Sequence, residues 1–209
     1  MPPQSRRGMP GTPNNPLVMA GLDLAMTKVG EKVGVMGGTR KIRWRSPLTS
    51  LGLIFAAITA VLDQATKFWL VHLSGIAGEA GGRLAFGPFV DFVYMRNTGI
   101  SYSLFELGGR AGQLLLAAIA VLVSAGIIVW LARVTDRLTA MALGLILGGA
   151  LGNAIDRPLM GGVVDFVSLH GFGFHWYVFN LADVAIVAGV IGLLYESLLG
   201  SRKRAATGA

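Results

Sequence analysis

The chain has no cysteine, only three histidines and few charged residues. The absence of cysteine excludes disulfide bonds, thiolate metal sites and a cysteine nucleophile. Because the histidines are only His72, His170 and His175, a zinc site would also need carboxylate ligands. We therefore expect no bound metal and no cofactor, and we interpret the histidines as interfacial polar residues.

Charged residues make up 14% of the 209 residues, and hydrophobic residues make up 53%. This balance is unusual for a soluble domain and indicates that much of the chain lies in lipid. Lysine and arginine outnumber aspartate and glutamate by 18 to 11. The basic residues flank apolar segments, so the excess indicates membrane topology and we expect no nucleic-acid partner.

Four apolar segments approach the roughly 20 residues that cross about 30 Å of hydrocarbon. They span about residues 48–73, 112–132, 138–155 and 181–199. Basic residues lie before the first segment, between the second and third, and after the fourth: Lys41, Arg43, Arg45, Arg133, Arg137, Arg202, Lys203 and Arg204. The positive-inside rule then predicts that both chain ends are cytoplasmic and that the loops 74–111 and 156–180 face outward.

The rest of the chain is assigned around these segments. Residues 1–46 are rich in Gly, Pro, Asn, Arg and Lys and are predicted to form a flexible cytoplasmic extension. They contain no continuous apolar run followed by a small-residue cleavage site, so we expect no removable signal peptide. Residues 47–200 form the predicted four-helix domain, with an outer β loop at about 75–111, and residues 201–209 form a cytoplasmic tail. Aromatic and β-branched residues between 89 and 95 predict short strands there, at headgroup level.

Glycines recur at every fourth position of the third segment, as Gly144, Gly148 and Gly152. This spacing removes side chains from one helical face and allows another helix to approach closely. We expect this face to pack within the bundle, and we expect the protein to be a monomer.

Ionisable side chains in lipid are costly unless they are paired or functional. Asp63 and Lys67 lie one turn apart on the first segment, where the simplest interpretation is a neutralised ion pair that positions the helix. Three further acids, Asp156, Asp165 and Asp183, lie where the topology predicts the outer surface. Two carboxyl groups held together there would share a proton. One would act as base toward a water, and the other would supply a proton or a hydrogen bond to the carbonyl and the leaving amine. This is the chemistry of aspartic peptidases.

The spacing alone leaves open which two acids pair, because Asn153–Asp156 and Asn180–Asp183 both form Asn-x-x-Asp. Asp156 precedes Arg157, whose charge favours an ionised, structural carboxylate. Asp165 lies between apolar neighbours and is the better candidate for a shifted pKa. These considerations favour Asp165 and Asp183.

Five segments resemble the lipoprotein signal peptidase family, also called signal peptidase II, in the family's order across about residues 47–199. They are Asp63-Gln64-Ala65-Thr66-Lys67, Arg96-Asn97-Thr98-Gly99-Ile100-Ser101-Tyr102-Ser103, Gly148-Gly149-Ala150-Leu151-Gly152-Asn153-Ala154-Ile155-Asp156-Arg157, Val163-Val164-Asp165-Phe166 and Phe179-Asn180-Leu181-Ala182-Asp183. The chain departs from the family at Ile100-Ser101-Tyr102, where small residues and then Phe or Trp are usual. The N-terminal forty or so residues have no counterpart.

The resemblance implies an all-α membrane protein with four transmembrane helices and a small periplasmic β-sheet, a cradle for the substrate peptide, between helices 1 and 2. It implies an aspartic endopeptidase of the bacterial inner membrane that acts at the periplasmic face. The implied substrates are prolipoproteins that carry a diacylglyceryl group on the cysteine that becomes the new N-terminus, with the lipid remaining in the bilayer. Globomycin is the implied inhibitor.

Carried over by position, the implied catalytic residues are Asp165 and Asp183. The residues implied to shape and support the site, including the first-helix motif, are Asn97, Asn153, Asp156, Arg157, Asn180, Asp63 and Lys67. From the residues alone, the main alternative is a small proton-coupled transporter that uses the outer-face carboxylates. A transporter would favour acids near mid-membrane and repeated or broken helices, whereas the acids here lie toward one end of the segments.

Overall fold

The computed structural model describes residue 44 and residues 46–78, 82–99 and 109–206. The predicted flexible extension lies almost entirely outside the described residues, and so does the Ile100-Ser101-Tyr102 departure from the family pattern.

Four long helices make up most of the described chain. Helix α1 is Pro47–Phe68, α2 is Gly109–Leu131, α3 is Arg137–Met160 and α4 is Leu181–Ala206. Helix α1 continues as a π-helical segment, Trp69–Leu73, before a 3₁₀ turn at Ile76–Gly78. Each of the four is long and apolar enough to cross a membrane, so the prediction of four spans is confirmed.

Local sequence determines where several helices begin and end. Ser46 caps α1 by accepting from the Thr49 N–H, and Pro47 occupies the first turn, where its missing N–H costs nothing. Helix α3 extends beyond the predicted boundary at residue 155 to Met160, and it ends at Gly161 in the left-handed conformation. Helix α4 continues to Ala206, so most of the predicted tail extends the last helix.

Helix α3 lies at the centre of the bundle, and its glycine face contacts α1. A Cβ atom at Gly144 would collide with the Gly52 carbonyl oxygen, and one at Gly148 would lie 2.5 Å from the Ala56 oxygen. The prediction that this face packs within the bundle is therefore confirmed. The outer faces of α1, α2 and α4 instead expose large apolar side chains, as expected for helices surrounded by lipid: Val61, Leu122 and Ile191 are among them.

An antiparallel four-stranded sheet lies beside one end of the bundle, in the order β1-β2-β3-β4. Strands β1 (Arg83–Ala85) and β2 (Val90–Asn97) come from the segment between α1 and α2, as predicted. Strands β3 (Val163–Gly171) and β4 (Phe174–Phe179) come from the segment between α3 and α4. The sheet is thus built from both outer loops, and its assignment to the loop between helices 1 and 2 alone was incomplete.

The physical reason for this correction is that β1 and β2 alone would form a small hairpin that leaves a long strand edge unpaired. Strand β3 covers that edge, with Met95 opposite Asp165 and Asn97 opposite Val163. The sheet packs onto the extension of α1 through a cluster of buried apolar residues: Leu70, Ile76, Val164 and Phe166. This packing holds Asp165 between the sheet and the bundle.

Candidate active site

Asp165 is a buried carboxyl on β3, with 2% of its surface exposed. Its Oδ2 accepts a hydrogen bond from Asn97 Nδ2 at 3.1 Å, and its Oδ1 accepts one from Asn180 Nδ2 at 2.6 Å. Burial, assisted by the nearby charge of Asp183, raises the pKa of Asp165 to about 6, although both amide donors oppose the rise. Asp165 is therefore a carboxyl that changes protonation state near neutral pH.

Asp183 lies in the first turn of α4 and forms a reciprocal cap with Asn180. The Asp183 N–H donates to Asn180 Oδ1 at 3.0 Å, and the Asn180 N–H donates to Asp183 Oδ2 at 3.2 Å. The other carboxylate oxygen, Oδ1, accepts from Asn153 Nδ2 on α3 at 2.9 Å. The cap and this amide fix the Asp183 carboxylate at the helix terminus.

Asn180 connects the two acids. It is fully buried, and its Nδ2 donates both to Asp165 and to Asn153 Oδ1, the latter at 3.1 Å. Its Oδ1 and backbone N–H are the atoms that bind Asp183. One asparagine therefore contacts Asp165 and Asp183 at the same time, which brings together the two residues that the sequence favoured as a pair.

A buried lysine lies in a network of polar side chains from the adjoining helices. Lys67 Nζ lies 2.8 Å from Asp63 Oδ2, 2.7 Å from Asp156 Oδ2 and 3.1 Å from Asn153 Oδ1. The predicted ion pair with Asp63 is present, and Asp156 joins it. Because Asn153 also binds Asp183, the lysine network continues to the candidate catalytic carboxylate.

Asp63 and Asp156 each accept a hydrogen bond from the backbone next to one of the two candidate catalytic residues. Asp63 Oδ1 accepts from the Ala182 N–H at 3.0 Å, at the start of α4. Asp156 Oδ2 accepts from the Val164 N–H at 3.1 Å, next to Asp165 on β3. Gln64 supports Asp156 by donating to its Oδ1 at 2.8 Å. The network therefore holds both elements of the site in place.

Arg157 does not make an ion pair with its neighbour Asp156, whose cationic contact is Lys67. Its guanidinium donates instead to Gln113 Oε1 on α2 at 3.0 Å and to the Gly99 carbonyl oxygen at 3.2 Å. Gln64 and Gln113 were not predicted as site residues. The signal that would have found them is the same one that identified the acids, a polar side chain in an apolar span.

A third polar cluster lies on the sheet. Buried Asp91 on β2 lies 2.5 Å from Arg83 Nη2 and 2.7 Å from His170 Nε2. His170 is thus a polar residue of the sheet that contacts a buried carboxylate. Within the described ranges, no group of three or more His, Asp or Glu residues is arranged to hold a metal ion.

The fold and the site define a class: a multi-pass membrane protein with two carboxylates held together at the junction of a helical bundle and a small sheet. Comparisons with known proteins agree. Residues 55–199 match the family model described as signal peptidase (SPase) II. The chain therefore belongs to the signal peptidase II family, and it is a bacterial membrane protease.

Individual relatives support this assignment. The chain is 52% identical over 147 residues to the lipoprotein signal peptidase of Methylorubrum extorquens (strain PA1). The matched residues cover 70% of this chain and 85% of that protein. It is 47% identical over 155 residues to the lipoprotein signal peptidase of Rhodopseudomonas palustris (strain TIE-1), with 72% and 93% covered. A solved bacterial membrane enzyme, determined by the in meso method, has a TM-score of 0.61 at 25% identity and covers 77% of this chain and 97% of its own.

Proposed function

We propose that this protein is an aspartic endopeptidase that removes signal peptides from diacylglyceryl-modified prolipoproteins and cleaves before the lipidated cysteine. The observation that carries this proposal is the contact of one buried residue, Asn180, with both Asp165 and Asp183. The proposed substrate class is supported by the relatives, which are named lipoprotein signal peptidases.

The two carboxyl groups hold one proton between them, because neighbouring like charges do not both ionise easily. We assign this proton to Asp165, whose pKa is raised to about 6 by burial and by the charge of Asp183. Asp183 is then the base. A carboxyl that titrates near the working pH is suited to exchange protons with a reacting group.

The reaction begins when Asp183 takes a proton from a water molecule whose oxygen attacks the scissile carbonyl carbon. Asp165 gives its proton to the carbonyl oxygen, and the product is a gem-diol. When the gem-diol collapses, the C–N bond breaks, Asp183 protonates the leaving nitrogen, and Asp165 recovers a proton from a gem-diol hydroxyl. The signal peptide leaves with a new carboxyl end, and the lipidated cysteine gains a free amine.

The remaining predicted site residues support this pair. Asn97, Asn153 and Asn180 orient the carboxylates through their amides. Lys67 forms ion pairs with both Asp63 and Asp156. These acids accept hydrogen bonds from backbone N–H groups at the start of α4 and on β3. Precise placement of reacting groups is one of the largest contributions to enzymatic rates.

We further propose that the protein resides in the inner membrane with both ends in the cytoplasm and the active site at the periplasmic face. The basic residues at the connection from α2 to α3 and in the last turns of α4 support this orientation. The diacylglyceryl chains would remain in lipid beside the exposed apolar faces of the helices. We expect the protein to act as a monomer and to be inhibited by globomycin.

The proposal is tested by incubating the purified, membrane-inserted protein with a diacylglyceryl-modified precursor and measuring release of the signal peptide. We expect cleavage that globomycin blocks, and no turnover by Asp165→Asn or Asp183→Asn. Glu196→Gln, which changes an acid elsewhere on α4, is the matched control and should cleave normally. Near-normal cleavage by Asp165→Asn or by Asp183→Asn would refute the assignment of the catalytic pair.

The proton-coupled transporter considered from sequence has no support among the relatives, which are named as peptidases. The acids also converge on the end of the bundle that contacts the sheet, rather than forming a series through the membrane. We therefore retain only the peptidase.

A further inference from the structure

Gln113 is a buried amide on α2 that contacts the site indirectly. Only 3% of its surface is exposed, and it lies in an otherwise strongly apolar helix. Its Nε2 donates to the Thr98 carbonyl oxygen at 2.7 Å, while its Oε1 accepts from Arg157 Nη1 at 3.0 Å. A buried polar side chain in a membrane span is costly unless such bonds are made, so its position has a structural or functional cause.

The same arginine holds the next carbonyl of the chain. Arg157 Nη2 donates to the Gly99 oxygen at 3.2 Å. Helices α2 and α3 thus bind two successive carbonyls immediately after β2. We call the group formed by Gln113, Arg157, Thr98 and Gly99 the carbonyl clamp.

The clamp determines the orientation of Asn97. The Gly99 N–H donates to Asn97 Oδ1 at 3.0 Å, and a backbone N–H can only donate. The oxygen of this amide must therefore face Gly99, which leaves Nδ2 to face Asp165 Oδ2 at 3.1 Å. If Gly99 moved, the amide of Asn97 would be free to rotate and the Asp165 carboxyl would lose a donor.

We propose that Gln113 is a positioning residue for Asp165, acting through the carbonyl clamp and Asn97. This inference rests on the proposed catalytic pair. The hydrogen bonds of Gln113 go to Thr98 and Arg157 and act on Asp165 through Asn97, so its removal should affect proton exchange at Asp165 more than substrate binding.

The direction of the effect follows from the hydrogen bond that is lost. The Asn97 amide stabilises the ionised form of Asp165 and lowers its pKa. Loss of this donor raises that pKa further, so the alkaline limb of kcat/KM, which reports loss of the Asp165 proton, moves to higher pH. Misplacement of the carboxyl also reduces kcat, by about tenfold, with little change in KM.

The test compares Gln113→Met, which keeps the length of the side chain without its polar atoms, with the parent protein. The kcat/KM profile against pH is measured with a lipidated precursor, and hydrogen exchange is measured at the Gly99 amide. We expect a displaced alkaline limb, a roughly tenfold lower kcat and faster exchange at Gly99. Ser124→Ala is the control, because Ser124 is also buried on α2 but donates within its own helix, to the Ala120 oxygen.

Arg157→Lys breaks the clamp from the other side while it keeps the charge, and it should change all three measurements in the same direction. Arg157→Lys also provides the test if the Gln113→Met protein does not insert into the membrane. A parental pH profile and parental Gly99 exchange in an inserted clamp variant would overturn the inference. Asp165→Asn distinguishes failure of this inference from failure of the proposed function. Turnover by Asp165→Asn would overturn the catalytic pair itself. An inactive Asp165→Asn together with an unaffected Gln113→Met would overturn only the role of Gln113.

Discussion

Lys67 and Asp156 form a buried ion pair between two helices, with 2.7 Å between Nζ and Oδ2. The same ammonium group also contacts Asp63, so one cation serves two acids that are each almost inaccessible to water. Removing one partner of a buried ion pair is strongly destabilising because the other charge is left buried and uncompensated. Removing one partner of an exposed ion pair costs much less. The lysine is therefore essential to the way α1 and α3 fit together.

Lys67→Met should destabilise the protein by about 3–5 kcal/mol, because it leaves two buried carboxylates without their cation. Thermal unfolding of the inserted protein measures this loss, with Arg110→Met, a change at an exposed residue at the start of α2, as the control. Adding Asp63→Asn to Lys67→Met should restore part of the stability, because one of the two uncompensated charges is removed. Equal unfolding temperatures for Lys67→Met and Arg110→Met would show that the network does not stabilise the fold.

Gly148→Ala should destabilise the bundle by about 1–3 kcal/mol through overpacking. The added methyl would lie 2.5 Å from the Ala56 oxygen and 2.6 Å from Thr59 Cβ, both on α1. Gly126→Ala on α2 is the matched control, because a Cβ there meets nothing within 4 Å. Its unfolding temperature should be unchanged or slightly higher, since alanine is the better helix former. A Gly148→Ala protein as stable as Gly126→Ala would contradict the close contact between α1 and α3.

The four spans and the acids could be predicted from sequence because their signals are local. An apolar segment of sufficient length and its basic flanking residues can be identified without knowing what the segment packs against. A carboxyl such as Asp183 can be identified by its position at the end of such a segment. The glycine spacing on α3 also predicted a close helix contact, which Gly148 makes. These features depend on neighbours along the same segment.

The sheet and the connections within the site depend instead on contacts between distant segments. The pairing of Met95 with Asp165 joins two loops whose register nothing in either loop specifies by itself. The strands β3 and β4 were detectable in principle from their aromatic and β-branched residues, which flank the Gly171-Phe172-Gly173 turn. That Asn180 contacts both acids depends on β3 lying against the start of α4, a contact between segments that the spacing of Asn-x-x-Asp does not specify.

Asp165 should make stability depend on pH in a defined window. Burial and the charge of Asp183 raise its pKa from 3.8 to about 6, so the folded protein binds this proton more tightly than the unfolded chain. The stabilisation is then fully present below pH 3.8 and is lost as the pH rises through about 6. Asp165→Asn is neutral throughout, so the unfolding free energy of the parent minus that of the variant should fall by about 3 kcal/mol across this window. Denaturant unfolding of both proteins at a series of pH values measures the difference, and a flat or rising difference would contradict the raised pKa.

Asn180→Ser separates the two roles of Asn180. A serine hydroxyl can still cap α4 by accepting from the Asp183 N–H, so stability should stay close to that of the parent, whereas Asn180→Ala should lose about 1 kcal/mol with the cap. Neither residue can replace the amide that donates to Asp165 at 2.6 Å, so both variants should lose about a hundredfold in kcat. Unfolding temperature and turnover of a lipidated precursor are measured on the same preparations. If Asn180→Ser keeps the parental kcat, then Asn180 is only a helix cap, and the two acids must be oriented by Asn97 and Asn153 alone.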